Sequence, residues 1–328
     1  MNPPLAVVIA GYGRVGQALY TYLQALPSFS VKAILRSNTQ LINLEGLRTA
    51  ELSSFQSRDK TVIEVLNLIS RPSILVDATS DAGMLADWLA VFQSGHSLVS
   101  ANKLPLCGPH HQARVFFEEY SQIGIEATVG AGLPIIRTIK TALESGDGNI
   151  RFEGCFSGTL AYIFFALKQG VTFSDAVREA HLRGYTEADP REDLGANDLA
   201  RKALILNRVL GGDLELSDIR IESLISEGER HLSLDQFMSK LDVLNLPEVA
   251  SRMSSPRFVA RGSAESAVVE LVDDELILPG ASTDNDFVMR SNVYPDGVRI
   301  FGPGAGPNTT AMGLLADLNQ IALTRLQF

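Results

Sequence analysis

Apolar positions along the chain follow two rhythms. Leu5-Ala6-Val7-Val8-Ile9-Ala10 is a short unbroken apolar run, suited to a strand buried on both faces. Gly11-Tyr12-Gly13-Arg14-Val15-Gly16 follows it. Val15, Ala18, Leu19, Tyr22, Leu23 and Leu26 then recur at three- and four-residue steps, which predicts one face of a helix. Pro27 stops that helix, and residues 29–35 read as a second strand. The unit is strand, glycine turn, helix, strand. The alternation continues: strand over 73–78, ending in polar Thr79, Ser80 and Asp81; helix over 82–93; strand over 97–100, running into Ala101-Asn102-Lys103; helix over 112–122; strand over 124–129. Such alternation predicts an α/β fold built on a doubly wound, Rossmann-like parallel sheet.

After about Gly148 the rhythm changes. Residues 150–156 read as a strand, and 160–168, 174–183 and 198–210 as helices. Residues 258–294 read as several short strands, with turns at Pro279-Gly280 and Pro295-Asp296-Gly297. This is an α+β pattern. Residues 310–326 return to an amphipathic helix. The pattern sets bounds at 1–135 for the α/β part, 136–300 for the α+β part and 301–328 for a C-terminal segment.

Composition narrows the function classes. A chain of 328 residues fits about two domains and can bury a full core without staples. Acidic residues outnumber basic ones, 38 against 28, giving a formal net charge of −10. That excludes a general nucleic-acid binder, which needs a basic face, and electrostatic attachment to an anionic membrane. No apolar run approaches the roughly 18–20 residues of a spanning helix. Cys107 and Cys155 cannot form a disulfide framework and lack zinc spacing. A soluble protein of a reducing compartment is expected, most simply cytoplasmic. The five histidines show no metal-ligand spacing and read mostly as surface residues; the single Trp88 reads as helix packing.

Gly11, Gly13 and Gly16 fit a dinucleotide-binding turn. The first permits the tight turn, the second lets backbone approach a pyrophosphate, and the third lets helix pack on strand. The phosphates would lie at a helix N-terminus, where free N–H groups and the dipole favour anions. About 20 residues past the third glycine, where an NAD enzyme has Asp or Glu, stands Arg36. A cation there suits the 2′-phosphate of NADP(H), or is a solvated surface arginine. Thr79 and Ser80 stand at the end of one predicted strand and Lys103 at the end of the next, where open α/β sheets bind ligands. Ordinary turn chemistry is the alternative for Thr79 and Ser80, and a solvated side chain for Lys103.

The densest polar stretch runs from Gly184 to Lys202. Pro190 and Gly195 make its first part read as a loop. Asp198 and Lys202, four apart, share one helix face, as a surface ion pair or as working chemistry. Glu187, Asp193, Asp198 and Lys202 together could grip a substrate carrying both ammonium and carboxylate groups.

Taken together, ordered segments resemble the homoserine dehydrogenase family. They are 11–16, Ser100-Ala101-Asn102-Lys103, 126–136, 157–164, 184–202, Thr283-Asp284-Asn285, Gly302-Pro303-Gly304-Ala305-Gly306 and Thr310-Ala311. The resemblance implies reversible NAD(P)H-dependent reduction of L-aspartate 4-semialdehyde to L-homoserine, in a homodimer. It matches Gly13, Arg14 and Val15 to the pyrophosphate turn, Thr79 to the nicotinamide side and Gly306 to a late cofactor contact. It matches Lys103 and Lys202 to lysines of substrate activation and proton transfer; of the two, Lys202 is the expected proton donor, oriented by Asp198 four residues before it. It matches Glu187, Asp193 and Asp198 to residues that hold the amino acid, with Thr159, Gly184 and Tyr185 lining the same pocket. Glu126 and the carbonyls of Val129, Ala131 and Leu133 match a monovalent-cation site, whose hard oxygen donors suit Na⁺ or K⁺. Glu192 stands where aspartate is common, and residues 213–257 match little in the family. Two rivals remain. An acylating semialdehyde dehydrogenase needs a cysteine nucleophile, and neither cysteine has a histidine nearby in sequence. A non-catalytic nucleotide-binding module would not need the lysines and carboxylates.

Overall fold

The computed structural model describes residues 3–69, 72–119, 121–186, 189–243, 256–273 and 284–326. The chain divides into two compact units, Met1–Ile136 with Gly306–Phe328, and Arg137–Ala305.

In the first unit the strands are β1 (Leu5–Ala10), β2 (Phe29–Leu35), β3 (Thr39–Ile42), β4 (Gln56–Ser57), β5 (Ile74–Asp77), β6 (Ser97–Ser100) and β7 (Ile123–Gly124). They form one sheet in the order β4-β3-β2-β1-β5-β6-β7. Strands β2, β1, β5, β6 and β7 are parallel; β3 and β4 add an antiparallel edge. The order reverses at β1, which pairs with β2 on one side and β5 on the other, and that switch point opens a crevice at the strand ends. Val7 and Ile9, two apart on β1, share one core cluster with Leu19 and Leu23 of the helix Arg14–Gln24. Ala311, Leu314, Leu318 and Ile321 of the helix Pro307–Leu326 complete that cluster. Each such buried leucine or isoleucine contributes roughly 1.5–3 kcal/mol. The last helix comes close enough that a side chain at Gly313 would sit 2.1 Å from the Ala131 carbonyl oxygen. Asp317 accepts the Glu126 N–H at 2.9 Å.

Two expectations fail here for physical reasons. The strand expected over 124–129 ends at Gly124, and Glu126–Thr128 is a 3-10 turn. The apolar residues there are buried by the last helix instead of by a strand neighbour. The helix expected over 112–122 is two short pieces, His110–Ala113 and Val115–Glu118.

The second unit is a six-stranded sheet of β8 (Arg151–Cys155), β9 (Arg220–Ile221), β10 (Pro256–Gly262), β11 (Ala267–Asp273), β12 (Asp284–Arg290) and β13 (Val298–Pro303). Its order is β13-β12-β8-β10-β11-β9, antiparallel except for β9 beside β11. β13 pairs with β12, so residues 301–305 stay with this unit rather than joining the C-terminal segment. The helices Gly158–Lys168 and Asn197–Val209 pack on one face of the sheet. Phe164 stacks on Phe258 there, and Phe156 meets Phe287. Outside this face lies an ion-pair network of Glu153, Arg261, Glu270 and Arg290. Among the described residues, no helix is long and apolar enough to cross a membrane.

Candidate functional site

At the switch point of the first unit is a cavity of about 780 Å³. Gly11, Tyr12 and Gly13 line it with Arg36, Arg58, Thr79, Ser80 and Asp81. The three glycines divide their work as the turn requires. Gly11 has φ +88°, and a Cβ there would lie 2.7 Å from the Ala78 carbonyl oxygen. A Cβ on Gly16 would lie 2.2 Å from the Gly11 oxygen. A Cβ on Gly13 meets nothing within 4 Å, so that position faces open space that a phosphate can occupy. Arg14 and Val15 begin the helix, whose N-cap is Gly13; it has no side-chain cap and no acid in its first turn. Its free N–H groups and positive dipole end therefore suit a pyrophosphate. These residues fit a dinucleotide.

At the far end of β2, Arg36 is exposed, 4.1 Å over the Phe55 ring and 5.3 Å from the Tyr12 ring. Stacking on two rings holds its guanidinium in place. Sequence reading missed Arg58. It reaches the cavity because β3 and β4 turn the chain back, so the Arg58 N–H bonds the Asn38 carbonyl at 3.0 Å. Its Nη1 donates to the Arg36 carbonyl at 3.1 Å. No local motif announces it; only the antiparallel edge does.

Thr79 and Ser80 follow β5, and Lys103 follows β6. Beneath both turns lies Asp77, fully buried. Its carboxylate accepts the Thr79 N–H at 2.8 Å, Trp88 Nε1 at 2.9 Å and Asn102 Nδ2 at 3.0 Å. Burial pushes its pKa above the usual carboxylate value, against the lowering pull of the Thr79 hydroxyl and of those three bonds. Trp88 is thus more than packing. The buried His96 is also no surface residue: its Nδ1 accepts the Ser73 N–H at 3.1 Å.

In the loop 126–133, Glu126 is buried and its Oε1 accepts the Ile136 N–H at 2.8 Å. Ala131 sits at φ 56°, a left-handed conformation that costs an alanine roughly 1–2 kcal/mol. The Leu133 carbonyl takes the Ile135 N–H at 2.8 Å. Carboxylate and carbonyl oxygens are donors of the kind a hard cation takes. Gly306, at φ +115°, directly precedes the last helix, and its carbonyl accepts both the N–H and the hydroxyl of Thr310.

The second unit holds the lysine–acid cluster. Lys202 is 8% exposed, which removes the surface ion-pair reading. Its Nζ lies 2.8 Å from Asp198 Oδ2 and donates to the Phe156 carbonyl at 2.6 Å. Three residues on from Phe156, the buried Thr159 has its hydroxyl 2.8 Å from Asp193 Oδ1 and 2.5 Å from the Tyr185 carbonyl. The turn 156–159 therefore links Lys202 to Asp193 and Tyr185. The stretch expected as a loop contains a helix, Pro190–Leu194, because Asp189 caps it and Pro190 suits its first position. Ala196, at φ 55°, then starts the helix bearing Asp198 and Lys202. Gly184 takes φ +70° and the Tyr185 side chain packs on Tyr162 at 5.1 Å. Glu187 lies outside the described residues, as does Thr283. Arg191 was another omission. It pairs with Asp189 and donates to the carbonyls of Arg230 and Leu232, tying this segment to residues some forty positions further on.

The first unit thus holds a switch-point cavity that fits a dinucleotide, and the second a buried lysine paired with Asp198. A family model described as homoserine dehydrogenase matches residues 134–318. The chain belongs to the homoserine dehydrogenase family. It is 33% identical to the homoserine dehydrogenase of Saccharomyces cerevisiae over 351 residues, covering 96% of this chain and 97% of that one. It is also 33% identical to the chloroplastic bifunctional aspartokinase/homoserine dehydrogenase 1 of Zea mays, spanning only 38% of that relative's length. A Candida auris protein described as of unknown function matches in structure with a TM-score of 0.88 at 27% identity, over 98% of this chain and 99% of that one. A hyperthermophilic archaeal homoserine dehydrogenase in complex with NADPH shares the fold, with a TM-score of 0.77 at 23% identity over 99% and 98% of the two chains.

Proposed function

We propose that this chain catalyses the reversible reduction of L-aspartate 4-semialdehyde to L-homoserine, using NADP(H) in preference to NAD(H). The observation that carries the reading is Lys202, buried and held between Asp198 and the Phe156 carbonyl, next to the Thr159–Asp193 contact. Gly11, Gly13, Arg14, Val15 and Gly16 hold the pyrophosphate, with Thr79, Ser80 and Gly306 as further cofactor contacts. Arg36 and Arg58, both on the cavity wall, supply the charge for a 2′-phosphate. A bound nicotinamide supplies the hydride. Asp193, Glu187 and Asp198 bind the substrate's polar ends, and Thr159, Gly184 and Tyr185 line the pocket. The aldehyde oxygen gains negative charge as the carbonyl is reduced, and an ammonium both stabilises it and donates the proton. Lys202 takes that role, with Asp198 orienting it; Lys103 binds the substrate or shares the proton transfer. Glu126 with the carbonyls of Val129, Ala131 and Leu133 holds Na⁺ or K⁺ and stiffens the loop leading into the helix Ile135–Glu144.

The first unit is the nucleotide domain in this reading, and the second binds substrate and forms a homodimer. The sheet of the second unit leaves Phe301 48% exposed on its edge strand, which suits a second copy. A net charge of −10 and only two cysteines suit a cytoplasmic enzyme of small molecules. The test is spectrophotometric: homoserine with NADP⁺ must generate NADPH without added phosphate. No NADPH from a folded, NADPH-binding protein would sink the reading, and NADPH formed instead from the semialdehyde, dependent on phosphate and a cysteine, would favour the acylating rival.

A further inference from the structure

We propose that Asp77 is a positioning residue: its buried carboxylate locks together the two turns that carry Thr79 and Lys103, and so sets the cofactor-facing edge of the sheet. The proposal rests on the reading that those two turns meet the cofactor. Its basis is geometric. Asp77 ends β5, and its two oxygens gather donors from three separate segments: the Thr79 N–H, the indole of Trp88 and the amide of Asn102. Asn102 then spans both turns. Its Nδ2 lies 2.8 Å from the Asp81 carbonyl and 3.2 Å from the Thr79 hydroxyl, while its Oδ1 accepts the Leu104 N–H at 3.1 Å. The Asp77 carbonyl takes the Ala101 N–H at 3.0 Å and the Ser100 hydroxyl at 3.3 Å. Lys103 is therefore bracketed by backbone held to Asp77 directly at Ala101 and through the Asn102 side chain at Leu104.

The chemistry of the donors separates positioning from stability. The groups bonded to the carboxylate, the Thr79 hydroxyl included, are neutral. A buried charge without a cationic partner is costly, and an uncharged residue of the same size would serve a merely stabilising role better. What the carboxylate offers is acceptors on both oxygens at once. An amide cannot match that: in Asp77→Asn, one side presents an NH₂ to a donor.

Asp77→Asn should keep its melting temperature within a few degrees of the wild type, because the desolvated charge is gone. It should raise the dissociation constant for NADPH, read by fluorescence titration, by about tenfold or more, and lower kcat/KM for homoserine at least as much. Trp88 is the only tryptophan, so its emission must shift in the variant as its hydrogen-bond partner changes. NADPH affinity, kcat and both KM values within twofold of the wild type would overturn the proposal. Should Asp77→Asn fail to fold, Asn102→Ala decides by the same criteria, since it removes the bridge and leaves the carboxylate. The wild-type assay stands apart: a wild type that binds NADPH but does not oxidise homoserine defeats the activity, while the affinity comparison still judges Asp77.

Discussion

Lys202→Met removes one ammonium and keeps the length of the stem. In the native chain that ammonium meets Asp198 at 2.8 Å and the Phe156 carbonyl at 2.6 Å. Without it, a carbonyl and a carboxylate lose their donor, at a cost of about 1–3 kcal/mol. The Asp198 side chain is 21% exposed, so water recovers part of that and the low end applies. For a domain of this size each kcal/mol moves Tm by about 2–4 °C, so a loss of about 1 kcal/mol gives a fall of roughly 2–4 °C. The catalytic loss is larger. A positioned acid contributes about 10²–10⁴ in rate, or about 3–5.5 kcal/mol of barrier.

The variant should therefore stay folded at assay temperature, bind NADPH normally and lose at least a hundredfold in kcat. Lys202→Arg sharpens the test. It restores the charge and most of the stability, but guanidinium does not release a proton near neutral pH, so kcat should stay low. Stopped or steady-state measurement of NADPH formation from homoserine reads both variants. A Lys202→Met enzyme with kcat within about threefold of the wild type would refute the assignment, and Lys103→Met would then be the variant to measure.

Further outcomes follow from the same geometry. Gly16→Ala places a methyl 2.2 Å from the Gly11 oxygen and should unfold or strongly destabilise the first unit, whereas Gly13→Ala meets open space and should keep its Tm while losing NADPH affinity. Arg36→Ala and Arg58→Ala should each raise KM for NADP⁺ by about 10–100-fold, the worth of one charge-assisted bond, with little change for NAD⁺; equal effects on both cofactors would count against a 2′-phosphate role. The Arg191 guanidinium holds the Asp189 carboxyl below its usual pKa. A folded pKa below the unfolded one contributes stability above the unfolded value, about pH 4, and loses it as pH falls through the folded value. Asp189→Asn should thus flatten the acid limb of a Tm-against-pH curve. Exchanging Na⁺ or K⁺ for choline at constant ionic strength should lower Tm, and Glu126→Gln should remove that dependence.

The first unit was legible because its signals are local. One apolar run, three glycines and a three-and-four spacing specify β1, the turn and the first helix, and each occupies neighbouring residues. The strand-end addresses of Thr79 and Lys103 follow from the same alternation. Where reading failed, a distant segment had replaced the expected neighbour. Residues 124–129 have strand composition, but Gly124 lies where a Cβ would be 2.3 Å from the Asp317 Cβ, so the last helix covers the stretch a strand would have continued. In residues 190–194 the local pattern was ambiguous in itself. Proline breaks a helix interior but opens a helix, and only the Asp189 cap decides between them.

The same division explains which site residues were visible. Asp198 and Lys202 are four apart, so a helix alone brings them together. Their burial is not local: it comes from the turn 156–159, some forty positions earlier, which presents the Phe156 carbonyl to the lysine 46 residues away. Arg58 bonds the Arg36 carbonyl 22 residues away, and Asp77 reaches Asn102 across 25. None of these partners has a spacing rule. The strained positions point the same way. Three non-glycine residues take positive φ among the described residues, and two of them, Ala131 and Ala196, stand in the carbonyl loop and at the start of the lysine helix. An alanine held left-handed is tolerated only when its surroundings over-determine the backbone, and that pressure is concentrated where a carbonyl or a helix start must be aimed. The proposed cation loop and the Lys202 helix are thus the two places where local preference yields to a geometry imposed from elsewhere in the chain.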